Sequence, residues 1–140
     1  MKLGKNKLLL ITIIAIIVIS GIIYFLNSNV LPSPQKTVKD YFNYIINEDY
    51  SKAYELLTGN FKQSKGTLEE FTALFENARA HGTVYVGVKI NSVTNTNRKS
   101  QKIVSFSLKV KEKGRETTSF GQYLVIKEAD NIWRISDSLQ

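Results

Sequence analysis

His81 is the only histidine in the chain, and cysteine is absent. Acid–base or nucleophilic chemistry would therefore fall to His81, a carboxylate or a tyrosine. His81 precedes Gly82 at the end of a helical pattern. A helix C-terminus favours a cation, so the spacing makes His81 a capping or surface residue. Asp40, Glu48, Asp49, Glu55, Glu69, Glu70 and Glu76 fall on polar helical faces or at helix starts, where each has a structural explanation. Asp137 has no partner at motif spacing. The sequence contains no metal-ligand cluster, no Gly-rich phosphate loop and no nucleophile elbow. Catalysis is not expected, and neither is a cofactor.

Two groups of residues are better suited to binding. Tyr41, Tyr44 and Tyr54 can line a pocket that stacks on a small ligand, with Gln122 and Arg134 as polar contacts. The reading the spacing favours is that Tyr41, Tyr50 and Tyr54 are amphipathic core residues with their hydroxyls reaching water. The second group is Arg98, Lys99, Lys102, Lys109, Lys111, Lys113 and Arg115, opposed in that stretch only by Glu112, for a local net charge of +6. Such a face can rest on anionic headgroups or wall polymers, meet an acidic partner, or simply be solvated. Few aromatics interleave with these cations, so nucleic acid is not the expected partner.

The elements that must position these groups begin after an apolar stretch. Residues 8–26 contain no charge, and fourteen of them are Leu, Ile, Val or Phe. At a rise of about 1.5 Å per residue they cover roughly 28 Å, the thickness of a bilayer's hydrocarbon core. A cleaved signal would have a shorter apolar region ending in a small-x-small site. The one match, Val18-Ile19-Ser20, is followed by the membrane-like "GIIYFL". The expectation is a retained single span. Lys2, Lys5 and Lys7 precede it, against Lys36 and Lys39 well beyond it, which holds the amino end in the cytoplasm. The expected organisation is a cytoplasmic tail at 1–7, a transmembrane helix at 8–26, a tether at 27–33 and an extracellular domain at 34–140. Without cysteine there is neither a disulfide nor a lipoprotein signal, and a bacterial surface is the natural setting.

Within the domain, Ser33-Pro34 reads as a helix start, with Val38, Tyr41, Phe42 and Ile45 on one face. Asp49 can cap a second helix that ends near Thr58-Gly59-Asn60. Thr67 and Glu70 form a capping box for a third, whose buried side is Leu68, Phe71, Leu74, Phe75 and Ala78. After Gly82 the period becomes two. Val84, Val86, Val88 and Ile90 alternate with polar or small residues, and Val104, Phe106, Leu108 and Val110 do the same. Residues 117–127 are apolar on both faces, the pattern of a central strand covered on both sides. "IWRIS" closes a four-stranded antiparallel meander. The expected fold is α+β, with three helices on one face of a curved, cone-like sheet.

"VKDYFNYIINEDYSKAYELLTGNF" resembles the opening of the nuclear-transport-factor-2-like (cystatin-like) superfamily, through Asp49, Tyr50, Ala53, Tyr54, Leu56 and Leu57. "YLVIKEADNIWRIS" is similar to that family's last hairpin, where Trp133, Arg134 and Ile135 fill a W-[RK]-I pattern and Asn131 replaces a frequent glycine. The resemblance covers residues 34–138 and implies a Trp packed under the helices. It implies little about activity, because the superfamily hosts enzymes, binders and scaffolds. Similar anchored domains occur in resistance-type penicillin-binding proteins and in scaffold subunits of conjugative secretion machines. The expected function is a non-catalytic, membrane-anchored binding or assembly module of a cell-envelope complex, open to oligomerisation. The alternatives are a small-ligand-binding cone and a conjugative scaffold subunit.

Overall fold

A computed structural model describes residues 32–136. The expected tail and span, most of the tether and residues 137–140 lie outside the described residues. Among the described residues no helix is long and apolar enough to cross a membrane.

Helix α1 (Pro34–Ile46) starts where Ser33 accepts a hydrogen bond from the Lys36 N–H and Pro34 occupies the first turn. It buries Val38, Tyr41, Phe42 and Ile45 on one face, as their spacing requires. Helix α2 (Tyr50–Glu55) follows Asp49, whose carboxylate takes Lys52 at 2.5 Å rather than capping the helix through a backbone N–H. The chain then begins a helix where the sequence pattern anticipated an end. Thr58 accepts from the Phe61 N–H and opens α3 (Gly59–Lys65), which buries Phe61. Among the described residues the domain therefore has four helices, where three were expected. The threonine in Thr58-Gly59-Asn60 acts as an N-cap, a role that an adjacent Gly-Asn pair disguises as a stop. Helix α4 (Leu68–Ala80) carries the complete Thr67/Glu70 capping box and ends at His81.

Strands β1 (Thr83–Asn95), β2 (Gln101–Glu112), β3 (Arg115–Lys127) and β4 (Trp133–Ile135) form one antiparallel meander in that order. β1 breaks its alternation at two bulges, Val86 and Asn91. Tyr85, Val88, Ile90 and Val93 consequently face Val110, Leu108, Phe106 and Val104 on the inner side. Val84 and Val86 are left exposed instead of sharing the buried face with Val88 and Ile90. Each bulge adds a residue and bends the strand, which curves the sheet around the helices. β3 is likewise not covered on both sides. β4 pairs only with Val125, Ile126 and Lys127, so among the described residues 115–124 form an edge.

The core joins the α1 stripe, Leu57, Phe61 and Phe71 to the inner residues of β2 and to Val125, Trp133 and Ile135. One end of this cone is stitched shut. The Thr58 N–H donates to the Ile135 carbonyl and the Ile135 N–H to Leu56, both at 2.8 Å, making a short parallel bridge. The Thr37 hydroxyl donates to the Trp133 carbonyl at 3.3 Å. Asn131 holds φ +63° in the β3–β4 turn, the left-handed conformation that glycine adopts without strain.

Candidate functional site

The other end of the cone is open. A cleft of about 320 Å³ lies between α1, α4 and the inner face of β2 and β3. Its walls are the rings of Tyr41, Phe42, Phe71, Phe75, Tyr85, Phe106 and Tyr123, with Ile45, Leu74 and Leu108. Lys65, Ser119, Phe120 and Gly121 complete it. None of these is a carboxylate or a histidine.

Local sequence explains the opening. Gly121 lies across from Phe106 in the β2–β3 ladder. A Cβ there would stand 2.7 Å from the Phe106 ring, so only glycine leaves that ring its place. Ser119, opposite Leu108, is the next inner position and is also small. On the helix side Leu74 is 57% exposed, because no strand reaches over it. The apolar pattern of α4 placed Leu68 and Leu74 on its buried side. The structure buries Phe71 and leaves both leucines at the surface.

The rings are mutually braced. Tyr41 meets Tyr123 edge-on at 5.9 Å, and Phe106 lies 4.7 Å from Phe42 and 5.2 Å from Tyr123. Such packing holds the walls at fixed angles. Burial pushes the Tyr41 phenol well above its ordinary range, with neighbouring Tyr123, a hydrogen bond to it and Tyr85 acting in the same direction. Tyr85 is raised by burial and by Glu112. Both phenols stay neutral at physiological pH and present hydroxyls rather than charges. The cleft can accept an apolar, ring-sized group and offer it a few hydroxyls.

Of the tyrosines singled out by spacing, Tyr41 lines this cleft. Tyr54 packs on Phe71 at 5.3 Å and donates its hydroxyl to the Gly66 carbonyl at 2.7 Å. Tyr44 is half-buried, with Lys52 over its ring at 5.7 Å. Gln122 is exposed on the outer side of β3, across from Ser105. Arg134 clasps Asp130 at 2.7 Å and Glu128 at 2.5 Å across the last turn. These four are not among the residues that line the cleft. Phe75, Tyr85, Phe106 and Tyr123 line it as well; spacing marks Phe75 and Phe106 only as core, and the alternation of β1 sets Tyr85 on the face opposite Val84, which the bulge at Val86 overturns. The available signal was Gly121, a glycine inside a strand and therefore a place of close approach.

The basic residues separate along the sheet. Arg98 and Lys99 sit in the β1–β2 turn, and Lys102 donates to Asn95 nearby at 2.6 Å. Lys109 and Lys111 occupy the outer face, with Lys109 paired to Glu116 at 3.2 Å. Lys113 and Arg115 flank the β2–β3 hairpin, roughly 35 Å from the first group at the usual strand rise. There they border an open depression of about 540 Å³ with His81, Thr83, Glu112 and Thr117. His81 is the C-cap of α4, and its Nδ1 lies 2.7 Å from the Asn77 carbonyl. The carboxylates have local roles too. Asp40 pairs with Lys36, Glu48 with Arg79, and Glu70 closes the α4 cap. Among the described residues no group of acidic or histidine side chains has the arrangement of a metal site.

No protein-family model matches the sequence, and no curated protein matches it. Solved structures do. A SEC-C motif-containing protein from Rhodopseudomonas palustris aligns with a TM-score of 0.63 at 12% identity, over 82% of this chain and 84% of that one. A ketosteroid isomerase-like protein from Erwinia carotovora atroseptica gives 0.53 at 13% identity, over 76% and 92%. An NTF2-like protein with a cystatin-like fold from Novosphingobium aromaticivorans gives 0.50 at 12% identity, over 84% and 82%. The fold is the nuclear-transport-factor-2-like one. At these identities the likeness concerns fold alone, and one of these neighbours is named after an enzyme.

Proposed function

We propose that this chain is a membrane-anchored binding module of the cell envelope, which holds a ligand without transforming it. In this reading residues 8–26 are a retained single span, the amino end is cytoplasmic, and the domain from residue 34 onward works outside the cell. The cone receives an apolar, ring-bearing small molecule, and the anchor keeps the loaded domain beside an envelope partner. One observation carries the binding reading. The open cleft is walled mainly by aromatic and aliphatic side chains, with Lys65 and Ser119 among its lining residues and no carboxylate or imidazole. Two of its hydroxyl-bearing rings, Tyr41 and Tyr85, have phenols shifted away from ionisation. The retained span rests on the uncharged run at 8–26 and the lysines before it.

Calorimetric titration of the fragment from residue 32 onward with naphthalene tests the cone. Saturable one-to-one binding is expected, weakened about tenfold by Leu74→Asp, which places a charge at the apolar lip. The absence of saturable binding contradicts the reading, as does equal affinity in the variant. Protease added to intact cells tests the anchor and its direction. The folded domain should be removed, and its full protection contradicts an exterior placement.

A further inference from the structure

The two edges of the sheet differ in a way that points to a second copy of this chain. Natural edge strands are protected by bulges, charges or covering segments, because an unpaired ladder templates further pairing. β1 has such protection, with bulges at Val86 and Asn91 and a lysine at 89. β3 does not. Its register with β2 runs without a shift from Arg115 to Ile126, and residues 117–126 carry no charge. Among the described residues, 115–124 have a strand on the β2 side only.

The direction of the free groups follows from β4. The Ser136 N–H donates to the Leu124 carbonyl at 2.8 Å, so the backbone of Leu124 points away from β2. Strand alternation then turns the N–H and C=O of Gln122, Phe120, Thr118 and Glu116 to the same open side. The two most exposed large apolar residues among those described are Phe120 at 79% and Leu74 at 57%, and Phe120 shares the outer face of β3 with Gln122.

We propose that residues 117–123 of β3 pair antiparallel with the same residues of a second copy, about a two-fold axis through Phe120. This register sets Phe120 opposite its own counterpart and Thr118 opposite Gln122. It joins two four-stranded sheets into one. A two-fold contact requires a self-complementary patch, and this segment provides one. The paired core has no charge to repel its copy, although the whole chain carries a net +7. The exposed ring meets an aromatic partner directly across the ladder, a favourable cross-strand pair. An unrelated peptide would have to bring its own apolar residue to that position, whereas the second copy supplies it by symmetry.

The test uses the full chain in mild detergent, where the absence of native cysteine makes any introduced thiol unique. Phe120→Cys should form a disulfide-linked species of doubled mass under mild oxidation. Val86→Cys, exposed at a bulge of the other edge, should remain largely unlinked. In a second measurement, with Phe120 intact, Thr118→Pro removes one open-side N–H, which an edge strand tolerates. Sedimentation should then show self-association weakened by about tenfold or more, with the circular dichroism spectrum unchanged. Linking of Phe120→Cys no greater than that of Val86→Cys overturns the proposal. So does linking only to an unlike protein, or undiminished association of the Thr118→Pro chain.

Discussion

The two ends of the cone are built from the same strands and helices but to opposite specifications. At the closed end Val38, Leu57, Val104, Val125 and Ile135 are almost fully buried, and backbone bonds tie Leu56 and Thr58 to β4. At the open end the corresponding inner positions of β3 are Ser119 and Gly121, and Leu74 faces outward. The closed end provides interdigitated apolar volume, and the open end withholds it. Stability and access are therefore assigned to different residues, and mutation should separate them.

The largest expected effects lie at the closed end. Leu57→Ala or Ile135→Ala should cost about 2–5 kcal/mol in chemical denaturation, the usual range for a cavity left in a tight core. Affinity for an apolar probe should change little in whatever fraction stays folded. Next is Gly121→Ala, which drives a methyl against Phe106. It should cost about 1–3 kcal/mol as overpacking and should also narrow the mouth, so both readouts move. Thr58→Ala removes the N-cap of α3 and should cost about 1 kcal/mol, measured by urea midpoint. Leu74→Ser should change stability by no more than about 0.5 kcal/mol, as surface substitutions do, while weakening probe binding. An equal loss of stability at Leu74 and Leu57 would erase the distinction between the ends.

The smallest effect concerns acid. Arg134, and then the Ile132 N–H, hold the Asp130 carboxyl below its usual range. A lowered folded pKa adds stability above the unfolded value, near about 4, and that stability is lost as pH falls through the folded value. Asp130 is exposed, so the effect is slight. The gap in urea midpoint between neutral pH and about pH 3 should be marginally narrower in Asp130→Asn.

Much of this fold was legible because local rules agree with it. Four apolar residues at helical spacing made α1 plain, and Thr67 with Glu70 marked the start of α4. What escaped depends on distant chain. The bulges at Val86 and Asn91 reverse which valines of β1 are buried, and only the pairing with β2 reveals them. β3 reads as apolar on both faces, the pattern of a covered strand, yet among the described residues β4 is three residues long and pairs with only the end of it. The cleft was hidden for a related reason. Phe71, Phe106 and Tyr123 look like any core residues, and only the shape of the sheet decides whether the space between them is filled. Asn131, which replaces a glycine frequent in the resembled family, is found in the left-handed backbone that glycine adopts without strain.

The central claim is that the open end binds and the closed end does not. Aromatic carbon–proton spectra of the fragment from residue 32 onward, recorded during a naphthalene titration, test it most directly. Saturable shifts are expected at Phe71, Phe75, Phe106 and Tyr123, with Trp133 unmoved. Shifts centred on Trp133, or no saturable change at any ring, would contradict it.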